Sequence, residues 1–285
     1  HVEPGRYLTL TFFGGRTLIG LRYDLDEGRR LVVEQRGAGW AGGLERRPVQ
    51  IEVVGARGTT NGQTSEAFIA EFETLDLPSQ RKKIRELSEA EEDNYSENHA
   101  PIYTMLMHHS DPEVRRCAVE AMWYYPDEEH IDRILNTFWF DSDEEVRGRA
   151  AMVLGRYMYE GFVMEELDSS LAQRVKRALL EAATDEREGI TVRRFAIEAL
   201  SFCTDDPKVL NLIEEAYFSA DARMQLSALF AMGRSGLERW HCYLLRTLDD
   251  ADREFRIEAI TACGEAQMIS AVPELQKLCF EPDRD

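Results

Sequence analysis

The chain has 285 residues, 44% of them apolar and 31% charged, with a formal net charge of −19. That composition describes a folded soluble protein with room for one or two cores, and so negative a surface repels phosphate backbones, which makes nucleic acid a poor partner. No apolar run approaches the roughly 18 residues of a membrane span, and the opening HVEPGRYLTL lacks the basic-then-apolar pattern of a secretory leader. The chain does not begin with methionine, so it reads as a fragment or a processed product.

The charge is uneven along the chain. Residues 1–62 hold 7 acids, 9 arginines, no lysine and 12 of the 19 glycines, a net of +2, which leaves −21 for residues 63–285. Period-2 apolar runs recur in the first part: YLTLTFF, RTLIGLRYD, RRLVVEQR and PVQIEVVG. Gly14-Gly15 separates the first two as a two-residue hairpin turn, and Asp26-Glu27-Gly28 makes another turn. Residues 1–58 are therefore predicted as a small antiparallel β segment of about four strands, and residues 59–66 as a polar linker.

From residue 67 the pattern becomes helical. LPSQRKKIRELSEAEEDN carries Ile84 and Leu87 at helical spacing, with Ser79 placed to cap. Beyond it five segments align: DPEVRRCAVEAM (111–122), DEEVRGRAAMVLG (143–155), GITVRRFAIEAL (189–200), DARMQLSALFAMG (221–233) and DREFRIEAITACG (252–264). Their anchors Val114, Val146, Val192, Met224 and Phe255 lie 32, 46, 32 and 31 residues apart. The period is thus near 32, with an insertion, RYMYEGFVMEELDSS (156–170), between the second and third units.

Each unit has a physical logic. Asp111 and Asp143 can accept from the free N–H groups of an incoming helix, and Pro112 suits the first helical position. Val114, Ala118, Ala121 and Met122 share one face, as do Val146, Ala150, Val153 and Leu154. A second amphipathic helix precedes each aligned segment, as in HIDRILNTFWF (130–140), LAQRVKRALLEAA (171–183), PKVLNLIEEAYF (207–218) and LERWHCYLLRTL (237–248), and AVPELQKLCF (271–280) continues the series. A two-helix unit of this size cannot bury its apolar face alone, so the units must stack.

SDPEVRRCAVEAM, SDEEVRGRAAMVLG and AVPELQKL resemble HEAT repeats of the bacterial phycobilisome-lyase-type group, over roughly residues 95–285. The resemblance implies a mainly α fold, a right-handed α-α superhelix across residues 67–285 with about five and a half repeats, behind the small N-terminal antiparallel β segment. It also implies an Asp–Arg ladder between units, with Arg115, Arg147, Arg193 and Arg256 as candidate arginines and Asp111, Asp143 and Asp252 as candidate acids. Gln225 and Gly189 interrupt that ladder in the middle. The next anchor would fall at residue 286 or 287, so the array reads as truncated, and Leu275, Leu278 and Cys279 are expected to be less buried than their counterparts.

Catalytic spacing is absent. GxSxG, Walker and GxGxxG patterns do not occur. His108-His109 with Cys117 matches no metal-ligand spacing. HEAT-repeat hydroxylases of the deoxyhypusine type rely on His-Glu pairs, and none of the six histidines here precedes a glutamate. HEAT-like DNA glycosylases need a basic groove. No catalytic residue, metal or cofactor is therefore expected. The five cysteines form no CxxC pair and read as small buried groups in a reducing, cytoplasmic setting.

What remains is surface. In such solenoids the second helix of each unit lines the concave face, and positions two, five or six after the anchor point outward. These include Arg116, Glu120, Met152, Arg194, Glu198 and Phe230. Trp123, Tyr124, Trp139 and Tyr159 join them as aromatic candidates, either packing the joint between units or anchoring a partner. The leading expectation is a bacterial scaffold that binds a protein or peptide, a basic one given the acidic surface. The alternative implied by the resemblance is an accessory subunit or lyase-like enzyme acting on a chromophore-bearing or otherwise modified protein.

Overall fold

The computed structural model describes residues 65–92 and 98–280, the side chains of 66, 92, 279 and 280 excepted, and backbone alone for 7–12, 16–25, 31–35 and 50–51. The chain divides into two compact units, residues 1–61 and 62–285. Among the described residues the second unit is a helical repeat solenoid. It runs α1 (Ser65–Thr74), α2 (Leu77–Glu89), α3 (Ala100–Leu106), α4 (Pro112–Ala121), α5 (Ile131–Phe140), α6 (Glu144–Phe162) and α7 (Ser169–Thr184). It continues with α8 (Ile190–Leu200), α9 (Pro207–Tyr217), α10 (Ala222–Ser235), α11 (His241–Thr247), α12 (Arg253–Glu265) and α13 (Val272–Phe280). None of these helices is long and apolar enough to cross a membrane.

Aspartate punctuates the helix starts. Asp76, Asp111, Asp143, Asp168, Asp206, Asp221 and Asp252 each accept backbone N–H bonds as N-caps, each worth about 1 kcal/mol. Ser79 is not the cap of α2. It donates its own backbone N–H to Asp76 at 3.0 Å, because Pro78, which has no N–H to give, sits in the first turn and puts the start ahead of it. Gly189 heads α8 with no side chain to cap it, and Glu144 of α6 reaches across to accept from Thr191 N–H at 2.9 Å. Gly236 ends α10 in the left-handed region at φ 63°, which suits a residue without a Cβ.

Helices α4, α6, α8, α10 and α12 lie side by side as one layer, and α5, α7, α9 and α11 each back the even-numbered helix that follows. The core lies between the layers. Val114, Val146 and Val192 are fully buried, Met224 nearly so, and Phe255 only partly. Small residues bring the even helices together. A Cβ on Gly155 would stand 3.2 Å from the Ala199 Cα, and one on Gly233 would stand 2.5 Å from the Ala262 Cα. The insertion is largely helix. It carries α6 to 19 residues and precedes an α7 of 16, against 10 in α5.

The charge ladder uses other acids than the caps alone. Arg81 pairs with Asp111 at 3.0 and 2.6 Å, Arg115 with Asp141 at 2.8 Å through both nitrogens, and Arg147 with Glu188 at 2.8 Å. Asp111 both caps α4 and takes Arg81, whereas in the next unit the two tasks are split: Asp143 accepts the N–H groups of Glu145 and Val146, and Asp141 takes the arginine. Beyond Glu188 the arginines bond carbonyls: Arg193 that of Ala183, and Arg256 those of Asp250 and Ala251. At the last helix, Leu275 and Leu278 are only half-buried, whereas Leu244 of α11 is fully buried, and Ile269 and Val272 are exposed. Cys279 lies outside the described side chains. Cys242, against expectation, is exposed at the start of α11, while Cys117, Cys203 and Cys263 are buried.

Candidate functional site

The outward stripe of the even layer is where charged and aromatic side chains meet. On α6 the stripe is Arg149, Met152, Arg156 and Tyr159, spaced three, four and three residues, which keeps them on one face. On α10 Phe230 and Arg234 continue it, with Ser227 buried at the same spacing one turn before them.

A chain of contacts crosses the helices along this stripe. Arg116 holds Glu113 at 2.9 Å and Glu120 at 3.0 Å within α4. Arg149 reaches Glu120 at 3.7 Å and lies 5.2 Å from the centre of the Phe195 ring, joining α4, α6 and α8. Arg194 lies 3.8 Å from the centre of the same Phe195 ring and pairs with Glu198 at 3.4 Å. Glu198 accepts the Ser227 hydroxyl at 2.5 Å, which ties α8 to α10. Arg234 sits 4.4 Å from Phe230 and 5.5 Å from Phe202, and Phe202 meets Tyr159 at 5.4 Å.

Several polar groups here are stripped of water without full compensation. The Nε atoms of Arg149 and Arg156 and Oε1 of Glu258 are buried and have no hydrogen-bond partner among the described residues. Burial pushes the Glu198 carboxyl up, against Ser227, Arg194, Arg234 and Arg149, which favour its charge. Burial also pushes Glu258 up, helped by the like charges of Glu198 and Glu254. Burial draws the Arg234 guanidinium down, opposed by Glu265 and Glu198. No carboxylate of a described residue lies within the 4.0 Å of an ion pair to Arg234.

Of the ten residues expected from sequence, Arg116, Glu120, Met152, Tyr159, Arg194, Glu198 and Phe230 fall on this stripe. Trp123 and Tyr124 lie in the short turn that leaves α4, and Trp139 lies on α5 in the other layer, its ring 4.7 Å from that of Phe138 and tilted to it. The aromatics therefore do not form one patch. Tyr157 is a core residue whose hydroxyl donates to the Asp127 carbonyl at 3.1 Å. Sequence reasoning missed Arg149, Arg156, Phe195, Phe202, Arg234 and Glu258. The signal was present: these lie three or ten residues after an anchor, the same face as the positions chosen.

Two other clusters are closed. Glu91 is buried and accepts from His99 Nδ1 at 2.8 Å, Tyr103 at 2.6 Å and Tyr125 at 2.6 Å. Burial pushes this carboxyl up, but the three bonds outweigh it and hold it below the usual glutamate value. It locks α2, α3 and the turn after α4 together. His109 accepts the Asp111 N–H at 3.1 Å and packs edge-on to Phe72, so it serves the turn before α4. Among the described residues no three His, Cys, Asp or Glu side chains gather as metal ligands would.

Residues 100–163 match a family model of HEAT repeats. Among solved structures, the chain is similar to the complex of CpcE and CpcF of phycocyanin lyase from Nostoc sp. PCC7120. That likeness has 18% identity and a TM-score of 0.53, covering 78% of this chain and 84% of that one. Human deoxyhypusine hydroxylase, solved with glycerol, aligns at 18% identity over 78% and 87% of the two chains with a TM-score of 0.36. None of the curated proteins matches. At 18% identity the likeness to the lyase complex is one of fold.

Proposed function

We propose that this HEAT-repeat chain is a protein-interaction scaffold, and that the stripe from α4 to α12 receives a segment of a partner protein. The observation that carries the reading is the row of guanidinium groups stacked on aromatic rings, with buried Nε atoms unpartnered. Arginine and aromatic side chains dominate interface energetics, and desolvated donors without partners are costly unless a ligand supplies acceptors. A photo-crosslinking residue at Phe230, with one at Glu215 on α9 as control, tests it in cells. Crosslinks to a defined protein from Phe230 alone support the reading; equal crosslinking from both positions, or from Glu215 alone, refutes it.

The solved complex of two lyase subunits that this fold resembles favours one further reading, an accessory subunit for modification of another protein. Co-expression with a tetrapyrrole and its acceptor protein decides that: absence of bound pigment and of modified acceptor removes it.

The finer architecture belongs to the same proposal. We read the solenoid as a right-handed superhelix over residues 67–285. We read residues 1–58 as an antiparallel β segment and 59–66 as a linker, its last two residues already belonging to α1, which begins at Ser65. Support comes from backbone strands at Tyr7–Phe12, Arg16–Leu25, Leu31–Gln35 and Gln50–Ile51, paired antiparallel in that order. The free thiols of Cys117, Cys203, Cys242 and Cys263 suit a reducing, cytoplasmic compartment.

A further inference from the structure

The unit is acidic, yet its stripe presents arginines. Along α6, α8 and α10 four guanidinium groups face this surface: Arg149, Arg156, Arg194 and Arg234. Three have a carboxylate within reach: Glu120 at 3.7 Å, Glu160 at 2.6 Å and Glu198 at 3.4 Å. The fourth, Arg234, lies 4.4 Å from the centre of the Phe230 ring and 5.5 Å from that of Phe202 with no carboxylate within 4.0 Å, Glu265 and Glu198 acting on it only from farther off. A charge drawn out of water without a contact partner costs free energy that Glu265 and Glu198 offset only in part, so a carboxylate from a ligand in direct contact would stabilise it. The two rings supply an apolar wall on which the stem of the incoming residue can lie.

We propose that the α6–α8–α10 section of the stripe binds an extended peptide segment of a partner protein, with an aspartate or glutamate carboxylate paired to Arg234. This rests on the scaffold reading above and names its ligand, an acidic segment rather than the basic one that net charge alone suggested.

Two features choose a carboxylate over a phosphate. Residues 63–285 carry −21, and Glu198 and Glu258 stand near the section, so a dianion meets more repulsion than a single negative charge. Arg234 is also a single unpaired cation, which one carboxylate neutralises by a bidentate pair. Length follows from the helices. Packed helix axes sit about 8–10 Å apart, so α6 to α10 spans about 20 Å, the reach of about six extended residues. The carboxyl of Glu258, with Oε1 buried and unpartnered, is left to take a backbone N–H or a hydroxyl of the same segment.

The test pans a random octapeptide display library against the full chain and against Arg234→Gln. Wild-type winners are expected to be enriched in Asp and Glu, and that enrichment is expected to vanish on the variant. A synthetic winner should bind at least tenfold more weakly when its acid becomes glutamine, lysine or phosphoserine. The free variant should melt a few degrees higher than wild type, since a desolvated unpaired charge has gone; a merely structural arginine would give the opposite shift. Should Arg234→Gln fail to fold, Arg234→Lys, which keeps charge and loses the planar fork, takes its place, with several-fold weaker binding expected. Winners without acid enrichment, equal enrichment on both proteins, basic winners, or tighter binding of the phosphoserine form would each overturn the carboxylate assignment and leave the scaffold reading standing. No winners on wild type would overturn it as well, and with no crosslink from Phe230 the scaffold reading falls too.

Discussion

Replacing Gly233 by alanine isolates the packing that builds the even layer. Two effects oppose each other. Alanine in a helix interior is favoured over glycine by about 1 kcal/mol. The added Cβ, however, would stand 2.5 Å from the Ala262 Cα, 2.7 Å from its Cβ and 3.0 Å from its carbonyl oxygen. Those are mostly backbone atoms of α12 and cannot rotate away, so α10 and α12 must part. Overpacking of this kind costs about 1–3 kcal/mol, and rigid neighbours put it at the upper end. The net expected loss is about 1–2 kcal/mol, and at about 2–4 °C per kcal/mol for a unit of this size the melting temperature drops by roughly 3–6 °C. Gly264→Ala is the control, because nothing lies within 4 Å of its added Cβ. It should gain up to about 1 kcal/mol from propensity alone. Urea unfolding followed by circular dichroism, with calorimetry for the midpoint, measures both. Equal signs for the two variants, or a stabilised Gly233→Ala, would refute the claim that close backbone approach sets the α10–α12 spacing.

Asp141→Asn should cost about 3 kcal/mol, since it leaves Arg115 buried beside an acceptor that no longer carries charge; Glu274→Gln, which breaks the exposed Lys277 pair, should leave the midpoint unchanged in the same melt. Glu91→Gln should destabilise by about 1–3 kcal/mol at neutral pH through its three donors. Because Glu91 titrates below its ordinary value in the folded protein, its contribution is present above that value and is lost as pH falls through the folded one, so the gap between wild type and variant should close on acidification. Glu258→Gln should act in the opposite sense. Burial raises this carboxyl, its charge opposes folding at neutral pH, and the variant should melt about 2–4 °C higher at pH 7. That advantage should shrink as pH falls through the raised folded value toward the ordinary glutamate value and the wild-type carboxyl takes up its proton.

The part of this fold that recurs was legible in the chain, and the part that does not recur was only half so. Val114, Val146 and Val192 can be read as core because each repeats at a fixed offset and each meets the same kind of neighbour. Capping and charge pairing depend on rivals for the same atom. Asp141 and Asp143 both stand near Arg115 in sequence, and only the structure assigns the arginine to Asp141 and the capping bonds to Asp143. The insertion is visible in the spacing, but that it adds turns to α6 is not, and those turns bring Arg156 and Tyr159 onto the stripe. The stripe draws in part on columns three and ten after the anchor, and these hold arginine, phenylalanine, serine, glutamate, cysteine or tyrosine in different units. A column that varies is placed by its offset from the anchor but is not marked by residue type, so sequence pattern finds the scaffold and the face of the site without its full chemistry. The same variation has a physical consequence. Packing constrains the anchors to one solution, whereas the stripe faces outward and is free to differ from unit to unit. An array that stacks by repetition can therefore recognise only through the positions where repetition fails. Arg234, with Phe202 and Phe230 around it and no acid of its own, is such a position.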